Sequence, residues 1–171
     1  HIVQELMNRG QDPRLVFESI LRTGETLRNT NGSGFYADIQ QISLAADMTL
    51  ICIQPPCGGS VFLLDTPGEC VMIDTGYGIY HREISTLIRT RVPGAMERLS
   101  RIIISHADAD HCGAGGLYPV TALMHPGTLD IIRVSNRAYG SRSQSSILEE
   151  VYTTLINLFS QFCPPKNTLL L

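Results

Sequence analysis

Apolar residues near the start of the chain recur at the spacing of a helix. Asp12 and Pro13 precede an apolar stripe formed by Leu15, Val16, Ile20 and Leu21. Aspartate is a favoured N-cap and proline is favoured at the first helical position, so a helix is predicted to begin at Pro13. Gly24 marks its predicted end. We predict that residues 1–48 form a helical N-terminal arm.

From residue 49 the apolar residues gather in short runs. Residues 49–54, 60–65 and 70–74 are rich in Ile, Val, Leu and Phe, and segments rich in Pro and Gly separate them. Short apolar runs bounded by turn residues are typical of strands. The pattern predicts three strands of an antiparallel meander.

Helices and strands then alternate along the rest of the chain. Residues 81–91 carry apolar positions on one helical face and are predicted to form a helix, residues 101–105 are predicted to form a buried strand, and a short helix is predicted from Asp110. A strand over 120–124 follows. Residues 133–146 are rich in Ser and Arg and are predicted to form a loop. A capping box at Ser146 and Glu149 predicts the last helix. The order predicts a layered α/β domain over residues 49–171.

Composition narrows the class of protein. The chain has 171 residues, of which 43% are hydrophobic and 17% charged, as expected for one globular domain. A net charge of −3 provides no basic field for a nucleic-acid backbone, so a dedicated nucleic-acid-binding surface is not expected. Five cysteines without a CxxC pair argue against a disulfide framework. With no apolar run of membrane-spanning length and no signal-peptide pattern, we expect a cytoplasmic protein without a membrane partner.

Four residues that can bind metal follow the apolar strand. His106, Asp108, Asp110 and His111 come directly after Ile102–Ile104. Unpaired carboxylates at the end of a buried strand are unfavourable, and a divalent cation would offset the repulsion between them. Imidazole and carboxylate are both zinc ligands. A solvated turn with capping aspartates is the alternative, but it does not account for the two histidines.

The spacing of these residues divides them into two pairs. His106 and Asp108 are two residues apart in an extended segment and can point to the same side. Asp110 and His111 fall at the turn into the next helix and can face a second ion. Two metal ions about 3.5–4 Å apart share a bridging water and lower its pKa, which produces a hydroxide nucleophile.

The motif resembles that of a known family. His106–His111 looks like the His-x-His-x-Asp-His motif of the metallo-β-lactamase superfamily, with Asp108 in place of the second His. Ile73–Gly76, about thirty residues upstream, looks like the same superfamily's first motif. The motif and the strand at Gly59–Leu64 are also similar to the metallo-β-lactamase domains of ComEC competence proteins. The resemblance implies an αββα sandwich.

The resemblance also implies a role for each motif residue. It places His106 and Asp108 on one metal ion, and Asp110 and His111 on the other. Asp110 would orient the attacking water. Asp74 would lie behind the ligands and steady their loop, because such outer contacts fix ligand orientation.

The chain departs from the family pattern after the motif. The family completes its site with a later His, a bridging Asp and a final His, whereas His125 and Asp130 are the last His and Asp of this sequence. Either the chain ends before the second half of the domain, or the site is degenerate. Residues 49–171 would then be only the N-terminal half of the sandwich. His125 is expected at a strand end near the cleft rather than as a ligand.

Two functions remain open at this point. The first is a metal-dependent hydrolase holding two divalent ions, zinc foremost with manganese or iron as alternatives because of the Asp108 ligand. Its substrate would be a small molecule or a phosphodiester, and the ComEC-like motif favours the phosphodiester. The second is a non-catalytic domain that keeps the fold and an incomplete metal site for structure or partner binding. The oligomeric state is left open.

Overall fold

The computed structural model describes residues 2–134 and 147–171, which form one mixed sheet with helices packed on it. In the described residues the strands are β1 (Asp38–Ala45), β2 (Met48–Gln54), β3 (Val61–Asp65), β4 (Cys70–Ile73), β5 (Leu99–Ile104), β6 (Thr121–Met124) and β7 (Thr168–Leu170). The helices are α1 (Ile2–Asn8), α2 (Pro13–Asn29), α3 (His81–Arg91), α4 (Ala95–Arg98), α5 (Ala109–Cys112), α6 (Pro126–Val134) and α7 (Ile147–Phe159). No helix within these two ranges is both long and apolar enough to cross a membrane.

The sheet follows the chain, with its strands in the order β1 to β7. Strands β1 to β4 pair antiparallel, which confirms the predicted meander over β2, β3 and β4. Strands β4 to β7 pair parallel, so a helical connection crosses between each of them. The carboxyl ends of β4, β5 and β6 therefore lie side by side at one edge of the sheet.

One face of the sheet packs against helices and forms the hydrophobic core with them. Ile53, Met72 and Ile102 point to this face and are at most 1% exposed. Residues from α2, α3, α6 and α7 belong to the same apolar cluster, including Leu27 and Ile156. Burial of apolar area on this face is the main stabilising contribution to the fold.

The opposite face carries a second apolar row. Its members are consecutive partners across the sheet: Cys52, Phe62, Ile73, Ile103, Leu123 and Leu169. These residues lie outside the core cluster, and all but the exposed Leu169 are half-buried. The α/β class is confirmed. The described residues form one sheet, whereas the predicted sandwich has two, in keeping with the expectation of a half-sandwich.

The predicted arm is helical only in part. Helices α1 and α2 account for its beginning, but Asp38–Ala45 is a strand at the edge of the sheet. Of the residues in this strand, Ile39 alone packs on the core, and the other residues of the strand are exposed. An edge strand with so few buried positions lacks the alternation that identifies a strand in a sequence. The domain boundary at residue 48 stays a prediction, although β1 pairs with β2 across it.

Helix α2 begins at Pro13 with Asp12 as its N-cap, as predicted, but continues past Gly24 to Asn29. Gly24 marks a close contact rather than a helix end, because a Cβ there would lie 2.7 Å from the ring of Phe159 in α7. Leu27, fully buried, extends the apolar stripe beyond it. The missing side chain of Gly24 therefore lets α2 and α7 approach each other.

Helix α6 is a further difference from the prediction. The loop predicted over 133–146 begins inside this helix, and residues 135–146 lie outside the described residues, as does the capping contact of Ser146. Pro126 opens α6, while Leu129 and Ile132 bury its inner face. With nine residues and two buried apolar positions, the helix is too short for a clear periodic signal.

Candidate metal centre

The candidate metal residues lie on two neighbouring loops. Asp74 follows β4, and Ser105 to Asp108 follow β5, which pairs with β4 in parallel. The backbone N–H of Asp74 donates to the carbonyl of Ile103, at 2.9 Å, which holds the two strand ends together. Parallel strands carry their loops to the same edge of the sheet, so residues thirty positions apart meet here.

Asp74 is the buried centre of this group. Asp74 is 4% exposed and has a left-handed backbone, with φ of 56°. Its carboxylate accepts from the Ser105 N–H at 2.8 Å and the Ser105 hydroxyl at 2.6 Å, and lies 2.7 Å from Nδ1 of His111. A carboxylate only accepts, so Nδ1 of His111 donates to it, and in the neutral imidazole Nε2 is then the nitrogen with the lone pair.

His106 is oriented in the same way through Ser105. The Ser105 hydroxyl has one proton and donates it to Asp74, so it accepts from Nδ1 of His106 at 2.9 Å. In the neutral imidazole of His106, Nε2 is therefore also the nitrogen with the lone pair. Asp74 thus fixes the proton position of both imidazoles, one directly and one through Ser105, as ligand histidines in metal sites require.

The four predicted ligands come together in two pairs. Nε2 of His106 lies 3.5 Å from Asp108 Oδ2, and Nε2 of His111 lies 3.4 Å from Asp110 Oδ2. The two imidazole rings are 3.9 Å apart between centroids. A lone pair facing an anionic oxygen is unfavourable unless a proton or a cation stands between them. The donor set therefore fits a divalent transition metal in its chemistry.

The arrangement provides paired donors rather than a closed site. Among the described residues, no group of three or more His, Cys, Asp or Glu side chains is placed to hold a metal ion. His106 is 47% exposed in its side chain and His111 is 25% exposed, so solvent reaches both pairs. The division of the four ligands between two ions stays a prediction.

His125 and Cys112 have other contacts. Nδ1 of His125 accepts from the N–H of Gly127, at 3.0 Å, within the turn that begins α6. Cys112 is fully buried, and burial raises the pKa of its thiol, so it stays protonated within the core. That His125 is not a ligand stays a prediction.

Two residues that sequence reasoning did not single out support the centre. The hydroxyl of Thr75 donates to the carbonyl of His111 at 3.0 Å and accepts from the Ala114 N–H at 3.2 Å. Gly59 lies against Asp110, where a Cβ would overlap the Asp110 carbonyl oxygen. The Gly-Gly pair at 58–59 is a sequence signal for such a close approach.

Sequence comparison connects these residues to a family. The sequence model described as the metallo-beta-lactamase superfamily matches residues 54–121, which include Asp74 and the whole of His106–His111. This stretch has the sequence features of a metallo-β-lactamase superfamily domain. No curated protein matches the chain in sequence.

Solved structures with a similar fold include metallo-β-lactamases. SMB-1, in a complex with mercaptoacetic acid, is 16% identical over 77% of this chain and 46% of its own, with a TM-score of 0.51. MEM-A1, a subclass B3 enzyme from a soil metagenome library, is 18% identical over 77% and 46%, with a TM-score of 0.52. Native FEZ-1 from Legionella gormanii is 14% identical over 76% and 46%, with a TM-score of 0.50.

The likeness establishes the fold of the chain as similar to that of metallo-β-lactamases. This chain spans about half the length of those proteins, since 46% of each is covered. The apolar row on the open face of the sheet lies where a two-sheet sandwich would place its second layer.

Proposed function

We propose that this chain is a metal-dependent hydrolase domain. The observation that supports the proposal most directly is the arrangement of His106 and His111, whose Nε2 atoms lie 3.5 Å and 3.4 Å from the carboxylates of Asp108 and Asp110. Each pair can take up a cation, which binds the imidazole nitrogen and offsets the charge of the carboxylate. The superfamily whose sequence model matches residues 54–121 consists mostly of metal-dependent hydrolases.

The proposed site uses the chain's residues as follows. His106 with Asp108, and Asp110 with His111, would hold divalent ions, zinc foremost and manganese or iron as alternatives. Such an ion supplies Lewis acidity and lowers the pKa of water. Asp110 would accept a hydrogen bond from the attacking water and so orient it. Asp74 fixes the direction in which the Nε2 atoms point.

The substrate class is a separate part of the proposal. A small-molecule ester, thioester, lactone or amide, or a phosphodiester, is consistent with this chemistry. The ComEC-like form of His106–His111 favours the phosphodiester, and that preference rests on the motif alone.

A non-catalytic domain is the second candidate function. One observation favours it: no three ligands converge among the described residues. In that case the fold would keep at most a weak metal site, and the chain would act in structure or partner binding. The two candidates differ in whether metal-loaded protein turns over any substrate.

We expect Asp110→Asn to reduce hydrolysis by the metal-loaded chain by about tenfold or more, since the amide no longer accepts and orients as a carboxylate does. His125→Ala is the control and should keep full activity, because the hydrogen bond that this side chain accepts lies within its own turn, from the N–H of Gly127. The assay measures kcat/KM against p-nitrophenyl esters and bis-p-nitrophenyl phosphate with zinc or manganese. Turnover of neither substrate by wild-type protein that contains metal would favour the non-catalytic alternative.

A further inference from the structure

Strand β1 is an edge of the sheet and is open on its outer side. It pairs with β2 on its inner side, and no other strand of the described residues pairs with it. Among the described elements, β2 is also the only one that makes more than marginal contact with β1. Every second residue of an edge strand directs its backbone N–H and C=O groups outwards, and such a row of groups is a template for another strand.

The side chains of β1 are uncovered on both faces of the sheet. Seven of its eight residues are exposed, and Ile39 is the exception. Ile42 and Leu44 are 50% and 52% exposed. A strand that paired beside them would remove part of this apolar surface from water, which is favourable in proportion to the area buried. Strand β1 thus offers hydrogen-bonding groups and apolar area in the same place.

Strand β1 lacks most of the features that prevent an edge strand from pairing. Such features include Lys or Pro on the edge, a β-bulge and a covering segment. Strand β1 contains neither Lys nor Pro. Its bulge lies between Ser43 and Ala45, at the end next to the turn into β2. Residues 38–43 keep a regular register with β2 and therefore form an unbroken edge.

The charges of β1 permit a second copy of the same strand as its partner. Asp38 is the one charged residue of the strand, and its carboxylate accepts from the side chain of Gln40 at 3.4 Å. In an antiparallel pair about a two-fold axis, side chains that oppose each other share a face, so the axis lies between two copies of one residue. With the axis at Gln41, the two Asp38 residues are about 20 Å apart along the strands, where salt screens their repulsion.

We propose that β1 pairs antiparallel with β1 of a second copy of this chain, centred on Gln41, and so forms a two-fold dimer with a continuous sheet. Ile39 then opposes Ser43, Gln40 opposes Ile42, and the two neutral Gln41 amides face each other. Such a contact uses the same surface on both copies and leaves neither copy of β1 open. The dimer does not depend on the proposed function, because β2 and β3 separate β1 from the strands that carry the metal residues.

Sedimentation equilibrium of the 171-residue chain tests the dimer. One pair of strands buries little area, so we expect weak association, with a Kd of about 100 μM. Amide hydrogen exchange, measured about tenfold below and about tenfold above this Kd, should slow at residues 39–43 as the dimer forms. A monomer at every concentration up to about 1 mM would overturn the proposal. Association that leaves the exchange of residues 39–43 unchanged would overturn it as well.

Opposite charges at Gln41 locate the pairing. Gln41→Lys and Gln41→Glu each place like charges directly opposite each other across the axis, so each variant alone should dimerise about fivefold more weakly than wild type. An equimolar mixture of the two should associate at least as tightly as wild type, because Lys then faces Glu. Gln11→Lys, which changes an exposed glutamine outside the sheet, is the control and should leave the Kd unchanged.

The other outcomes of this experiment exclude the proposed pairing. Equal effects of Gln11→Lys and Gln41→Lys would show that net charge, and not the contact at Gln41, controls association. A mixture that associates no more tightly than its two components would contradict pairing of Gln41 with its own copy. Growth beyond a dimer would also overturn the proposal, since joining of β1 to a different surface of the next copy forms open chains.

Discussion

Gly59→Ala is expected to destabilise the fold by about 3 kcal/mol or more. Gly59 has a φ of 74°, and a Cβ there would overlap the backbone carbonyl oxygen of Asp110. A left-handed non-glycine residue costs about 1–2 kcal/mol by itself. Because the overlapping atom belongs to the backbone, the clash is relieved only if the backbone that carries Asp110 moves. Urea unfolding followed by circular dichroism measures the loss.

Gly68→Ala is the matched control for this change. No heavy atom lies within 4 Å of the position of its Cβ, and its φ is not positive. Its stability should stay within about 0.5 kcal/mol of wild type. A comparable loss in both variants would show that the contact of Gly59 with Asp110 is not the cause. The Gly59 variant should also bind metal less tightly, since Asp110 moves with its loop.

Asp74→Ala is expected to cost about 3 kcal/mol in the free energy of unfolding and to weaken metal binding as well. The change leaves the Ser105 N–H, the Ser105 hydroxyl and Nδ1 of His111 without their acceptor. Alanine also lacks the tolerance of aspartate for the left-handed backbone at this position. Thermal or urea unfolding measures the stability, and a zinc-competition titration measures the affinity.

Asp74→Asn separates the loss of stability from the loss of metal affinity. Asparagine tolerates the left-handed backbone and keeps one acceptor oxygen, so the loss of stability should be smaller than for alanine. Its amide places donors against Ser105 and His111, so the imidazole is still released and metal affinity still falls by about tenfold or more. Asp47→Ala, in an exposed turn, is the control. Identical behaviour of the Asp47 and Asp74 variants would contradict the role given to Asp74.

The segments with a clear apolar period were predicted well. Strands β2 and β3 and helix α3 lie within one residue of their predicted bounds, because each buries a regular set of positions on one face. Strand β1 was missed because almost all of its residues are exposed, so its sequence lacks the alternation of buried and exposed positions that identifies a strand. Gly24 was taken as a helix end, since a sequence does not show that Phe159 lies against it.

The candidate metal residues could be identified from the sequence, but the contacts that support them could not. His106 to His111 are adjacent in sequence, so their types and spacing indicated the chemistry. Ser105 and Thr75 act through contacts with residues more than thirty positions away. Such contacts depend on the parallel pairing of β4 and β5. The contact of Gly59 with Asp110 depends on tertiary structure in the same way.

The central claim is that His106, Asp108, Asp110 and His111 hold a divalent metal ion, and metal content tests it most directly. The purified chain is loaded with zinc, dialysed and analysed by elemental mass spectrometry, beside His106→Ala, His111→Ala and the control His125→Ala. We expect at least one equivalent in wild type and in the control, with affinity about 100-fold lower in the other two variants. Wild-type protein without metal, or equal loss in His125→Ala, would contradict the claim.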